Sequence, residues 1–222
     1  MRSVWAKPTI PRTRRIYRLR RNARGSLTNQ QCPHHIMQRR PDGKALFERD
    51  PDFRMYLSTL RTLRKTLMLK VYRYCLMTNH VHLIVDPGGE TGSLRSLMAS
   101  LSEVHAPHLE RSGPSWEKCV LFVPIESDRY LSACTRYVDF NPVEAGIVTR
   151  PQDYLWSSYA AMTGRRSCPW LDPDPCFLAL GVDTAQRQQR YRELVELANP
   201  PDILGFAKMT MLYDKKINQT LK

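Results

Sequence analysis

The chain has 222 residues, with 34 Lys and Arg against 21 Asp and Glu, a formal net charge of +13. Hydrophobic residues make up 42% and charged residues 25%, a globular balance that excludes a disordered chain. No run approaches the ~18 apolar residues of a spanning helix, which excludes integral membrane insertion. The excess of base points to a polyanionic partner, most simply nucleic acid.

Nine Lys and Arg fall in residues 1–30, which hold no acid, leaving +4 on the rest of the chain. We read 1–30 as a basic arm in which Arg14, Arg15, Arg18, Arg20 and Arg21 contact phosphates. Trp5 and Tyr17 are available there to stack on bases. A solvated tail and an Arg-rich transit peptide are the competing readings of that composition. The six cysteines, Cys32, Cys75, Cys119, Cys134, Cys168 and Cys176, form no Cys-x-x-Cys pair. Free thiols in a reducing compartment are expected, and a structural zinc finger is not.

After the arm, PHHIMQRR (33–40) reads as a strand closed by a turn at Pro41-Asp42-Gly43. Beyond Asp50-Pro51, Phe53, Tyr56, Leu57, Leu60, Leu63 and Leu67 recur at helical intervals. LKVYRYCLM (69–77) and HVHLIV (80–85) then read as a hairpin through Thr78-Asn79. Leu94, Leu97, Met98, Leu101 and Val104 restore the helical period, and Pro107 is expected to break that helix. KCVLFVPI (118–125) is strand-like, Ser127 is a plausible N-cap for the helix that follows, and a polar helix is expected near 184–198. The order β-α-β-β-α-β predicts an α+β, ferredoxin-like split βαβ fold: an antiparallel sheet with helices on one face and the other free for a site. To this are added a helix bearing Tyr137 and a C-terminal helical extension. The domain plan is then a basic arm (1–30), a core domain (31–150), which the resemblance named below implies to be catalytic, and an extension packing on the core (151–222).

In HVHLIV, alternation sends Val81, Leu83 and Val85 toward the covering helices, and His80 and His82 together to the other face. Two imidazoles on one face can converge on a divalent ion, but they need a third ligand. In TRYVDFNP (135–142), Tyr137 and Asn141 stand four apart and share a helical face, with Asn141 in the last turn because Pro142 follows. Each element alone has a plain structural reading, a chance pair of strand histidines or a half-buried tyrosine. His34 or His35 could also face the pair, and alternation does not say which. His105 and His108 flank Pro107, Glu126 and Asp128 complement a helix N-terminus, and Glu144 follows Pro142.

Together, YCLMTNHVHLIV and, some fifty residues later, RYVDFNPVEAGIV closely resemble the REP-associated tyrosine transposases. These are single-tyrosine HUH enzymes related to the small insertion-sequence transposases. The resemblance takes in HHIMQRR, GPSWE (113–117) and RPQDYLWSSYAA (150–161), and so spans roughly residues 31–165. It implies His80, His82 and Asn141 as ligands of Mg²⁺ or Mn²⁺ and Tyr137 as nucleophile. The implied activity is cleavage of single-stranded DNA at hairpin-forming elements through a covalent 5′-phosphotyrosine, then strand transfer to a free 3′-hydroxyl. The expected partner is hairpin-bearing single-stranded DNA, the expected state a monomer or homodimer, and the expected location the bacterial cytoplasm, at the nucleoid.

The sequence departs from the family at Trp116-Glu117-Lys118-Cys119-Val120, where W-(E/Q)-G-R-F is usual, at Thr78 in place of proline, and in the second helix, which reads SLSEVHAPHLERSG. The change at Thr78 is mild, and the other two touch DNA positioning more than chemistry. Two other readings compete: a hairpin-binding protein that has lost cleavage, and a phosphodiesterase that activates water while Tyr137 is structural.

Overall fold

Alternation of branched and aromatic residues sets the sheet. The structure is a computed structural model and describes residues 32–39, 44–88, 93–109 and 120–196, without the side chains of 106–109. Four strands, β1 (His34–Arg39), β2 (Lys70–Met77), β3 (His80–Asp86) and β4 (Val120–Pro124), form one sheet in the order β2-β3-β1-β4. Every pairing is antiparallel. With α1 (Asp50–Thr66) between β1 and β2, and α2 (Ser93–Leu109) between β3 and β4, this is the split βαβ arrangement and an α+β fold.

Helix α1 begins where the Asp52 carboxylate accepts from the Glu48 and Arg49 amides, each at 2.9 Å, and Pro51 presets the first turn. Its Phe53, Tyr56 and Leu60 join Leu94, Leu97, Met98 and Leu101 of α2 against Ile36, Val71, Val81, Leu83 and Val85 of the sheet. Pro107 does not break α2, which continues to Leu109. A proline removes one backbone hydrogen bond, and the turn ahead of it already holds the helix against the sheet.

The opposite face is not open. Helix α3 (Asp128–Glu144) lies across it, and Leu131, Cys134, Tyr137 and Val138 pack on Tyr72, Cys75, Met77 and Ile84. Ser127 caps α3, its Oγ accepting from the Tyr130 amide at 3.2 Å. A register shift between Val71 and Arg73 turns two successive side chains, Tyr72 and Arg73, toward α3.

The segment after α3 is bound to the free edge of β2. The Leu76 amide donates to the Trp156 carbonyl and the Ser158 amide to the Tyr74 carbonyl, both at 2.9 Å, so this edge is partnered. Trp156 stacks on Phe53 at 4.6 Å between ring centroids. A 3-10 turn (Pro151–Asp153) and the helices α4 (Tyr159–Met162), α5 (Pro175–Leu178) and α6 (Thr184–Glu196) follow. Tyr159, Met162, Phe177, Tyr191 and Val195 enlarge the main core. Among the described residues, no helix is long and apolar enough to cross a membrane.

Candidate active site

The β2–β3 turn, Thr78-Asn79, delivers His80 at the start of β3, opposite Met77. The Thr78 carbonyl accepts the Leu46 and Phe47 amides, which fixes the turn against the loop ahead of α1. His80 and His82 then share the α3 side of the sheet, with ring centroids 4.9 Å apart and planes at 89°. His80 is half-buried, and His82 is 1% exposed.

Helix α3 supplies the other two side chains. Tyr137, 6% exposed, meets the edge of the His82 ring at 5.4 Å between centroids. Asn141 Oδ1 lies 3.2 Å from His80 Nε2. The helix runs through Pro142 to Glu144, and the Ala145 amide donates to the Asn141 carbonyl, so Asn141 stands in the last turn. The structure therefore brings His80, His82, Tyr137 and Asn141 into one cluster.

A fifth residue joins them from β1. His35, in register with Ile84, projects to the same side, with its Nε2 2.9 Å from His82 Nδ1. Its ring also meets Tyr137 edge-on at 5.9 Å. His34 projects to the other side, where its Nδ1–H donates to the Cys32 carbonyl at 2.9 Å. Arg39, in register with His80, places a cation beside the cluster.

Burial sets the protonation states. It pushes His35 and His80 down to about 4 and His82 well below its ordinary value, where the neighbouring His80, His35 and Arg39 add to the effect. All three imidazoles are therefore neutral at pH 7, the form that binds metal.

The donor set fits a small divalent cation on two observations. His82 Nε2 is buried without a hydrogen-bond partner. His80 Nε2 and Asn141 Oδ1, at 3.2 Å, are spaced as two adjacent ligands of one ion at roughly 2.2 Å from each would be. Two imidazoles with an amide oxygen would hold Mn²⁺ at least as well as Mg²⁺, because the oxygen suits either ion and imidazole favours the transition metal. Among the described residues, no group of three or more His, Cys, Asp or Glu side chains is arranged to hold a metal ion.

Other candidates fall elsewhere. His105 packs on the Tyr56 and Phe47 rings in the main core, and Glu144 is exposed. Asp128 lies in the first turn of α3, where its charge complements the helix dipole. Arg14, Arg15, Arg18, Arg20, Arg21, Trp5, Tyr17, the Pro41-Asp42-Gly43 turn, Gly113–Glu117, Lys118 and Cys119 lie outside the described residues, as does the side chain of His108. A feature the sequence reading missed stands behind α3. Arg73, fully buried, lies 2.9 Å from Asp174 and 3.7 Å from Asp139. Asp139 also accepts from the Tyr191 hydroxyl at 2.6 Å and from Ser158 Oγ at 3.4 Å. The signals were an arginine inside an apolar strand and an aspartate two residues beyond Tyr137.

A split-βαβ sheet whose histidine pair faces a helical tyrosine and an asparagine is the class of arrangement the fold and cluster define. No protein-family model and no curated protein matches this sequence. Among solved structures, the chain is similar in fold to a REP-associated tyrosine transposase bound to a REP hairpin. The TM-score is 0.50 and the identity 13%, over 75% of this chain and 93% of that one.

Proposed function

We propose that this protein cleaves single-stranded DNA at hairpin-forming elements and transfers the strand, with Tyr137 as nucleophile and His80, His82 and Asn141 as ligands of Mg²⁺ or Mn²⁺. The observation that carries the reading is the convergence of Tyr137 on His82, which stands beside the His80–Asn141 donor pair. The hairpin-bound state of the structural neighbour supports the choice of DNA.

The chemistry asks for such a cluster. A phenol with a pKa near 10 is about one part in a thousand phenolate at pH 7, a deficit of ~4 kcal/mol. A divalent ion, when bound, supplies charge neutralisation at the scissile phosphate. Tyr137 gives up its proton and forms a bond from its phenolic oxygen to phosphorus, while the bond to the 3′-oxygen breaks and that oxygen takes a proton. The phosphodiester energy is kept in the tyrosine ester, so a free 3′-hydroxyl can reverse the step without ATP. Arg39, in register with His80, would place a positive charge beside an anionic backbone bound at the cluster.

A second reading, hairpin binding without cleavage, is favoured by the burial of Tyr137, 6% exposed, and of His82, 1% exposed. Incubation with end-labelled hairpin DNA and Mn²⁺ separates the two. The enzyme reading expects a denaturant-resistant protein–DNA adduct that disappears in Tyr137→Phe. Binding with no adduct supports the second reading, and cleavage that survives Tyr137→Phe rules out tyrosine as the nucleophile.

A further inference from the structure

His35 is a third buried histidine in the cluster, 1% exposed, and the metal reading gives it no ligand role. Its Nε2 and His82 Nδ1 are 2.9 Å apart, and the two ring planes are within 15° of parallel. At that distance one nitrogen carries the proton and the other accepts it.

Only one direction suits the rest of the site. A neutral His82 has a single N–H. If it lay on Nε2, a buried donor would have no acceptor, because that atom has no hydrogen-bond partner. If it lies on Nδ1, it is satisfied by His35, and Nε2 is left as a lone pair. An unpaired buried lone pair costs less than an unpaired buried N–H, and it is the form that accepts a cation.

We propose that His35 is a positioning residue for His82: its Nε2 accepts the His82 Nδ1–H, which fixes the His82 tautomer and ring plane and leaves Nε2 free to ligate a divalent cation. The role is the one usually filled in metal sites by a carboxylate or a backbone carbonyl. Here it also links the metal side of the cluster to the nucleophile, because the His35 ring meets Tyr137. The inference rests on the metal reading of His80, His82 and Asn141.

Two measurements on the full chain test it, neither of them an activity. In metal-free wild-type protein labelled with ¹⁵N-histidine, NMR should show His82 protonated at Nδ1. A proton on His82 Nε2 overturns the proposal, and this readout needs no variant to fold. Mn²⁺ titration followed by EPR should show His35→Leu binding about 10–100-fold more weakly than wild type. His35→Gln, whose amide oxygen can accept the same proton, should stay within about threefold. If His82→Ala loses Mn²⁺ and His35→Leu does not, the His35 role fails while the metal site stands. If His82→Ala binds Mn²⁺ as wild type does, the metal reading itself fails, and this inference with it.

Discussion

A histidine enclosed in a sheet has to stay neutral, and folding then works against protons. His34 lies under the helices with Nδ1 donating to the Cys32 carbonyl and Nε2 buried without a partner. Burial holds its pKa below 6.5, more strongly than its bond to Cys32 and the Asp86 carboxylate raise it. The unfolded chain takes up this proton near pH 6.5, and the folded chain does so only at lower pH. The unfolded state therefore binds more protons in that window, so stability falls as pH drops below 6.5 and returns above it. Urea unfolding at pH 7 and pH 5 should show a lower midpoint at pH 5, and His34→Leu should reduce that difference without abolishing it, since His35, His80 and His82 contribute in the same direction. An unchanged slope in the variant would move the effect to other groups. Arg73 is the opposite case, a buried charge that must stay ionised beside Asp174 and Asp139. Arg73→Met leaves those carboxylates without their cation and should cost about 3–5 kcal/mol by chemical unfolding.

Among the elements, α3 decides the site, since it carries Tyr137 and Asn141 and closes the sheet face over His82. Its start depends on Ser127, so Ser127→Ala should destabilise the protein by about 1 kcal/mol and Ser127→Asp should not. A larger loss in the aspartate variant would show that the hydroxyl does more than cap. The pairing of His80 with His82 was legible because Val81, Leu83 and Val85 mark the helix-covered face by alternation. The i,i+4 spacing of Tyr137 and Asn141 survives in the same way, because Pro142 falls late enough in α3 for the helix to pass through it. His35 was not legible. β1 carries two adjacent histidines, and its Gln38 is polar yet faces the covered side, bonded to Ser102 of α2. Only the pairing of His35 with Ile84 decides the face, and register across strands is not a local property. Arg73 escaped for a related reason, since a bulge turns two neighbours to one side and cancels the alternation that would have placed it.

At the scale of the molecule, the helix that carries Tyr137 is gripped from both sides. The sheet holds its Tyr137 face, and α6, the last described helix, holds Asp139 through the Tyr191 hydroxyl. Tyr191→Phe keeps the ring that packs on Phe177 and removes only that donor, so it should cost about 1–3 kcal/mol. The charge distribution separates in the same manner into parts with different work. Nine basic residues in 1–30 exceed the +4 of everything else, so under the proposed function most of the electrostatic pull on DNA would belong to a segment remote in sequence from Tyr137. If six of them meet phosphates, hairpin affinity should drop about a thousandfold between 50 and 200 mM salt, through counterion release. Fluorescence anisotropy with a labelled hairpin measures that slope directly. A variant lacking 1–30 should show a much shallower dependence, and at low salt it should still form the Tyr137 adduct once the hairpin is saturating. A slope unchanged by the deletion would place the phosphate contacts on the folded domain, among cations such as Arg39 beside His80.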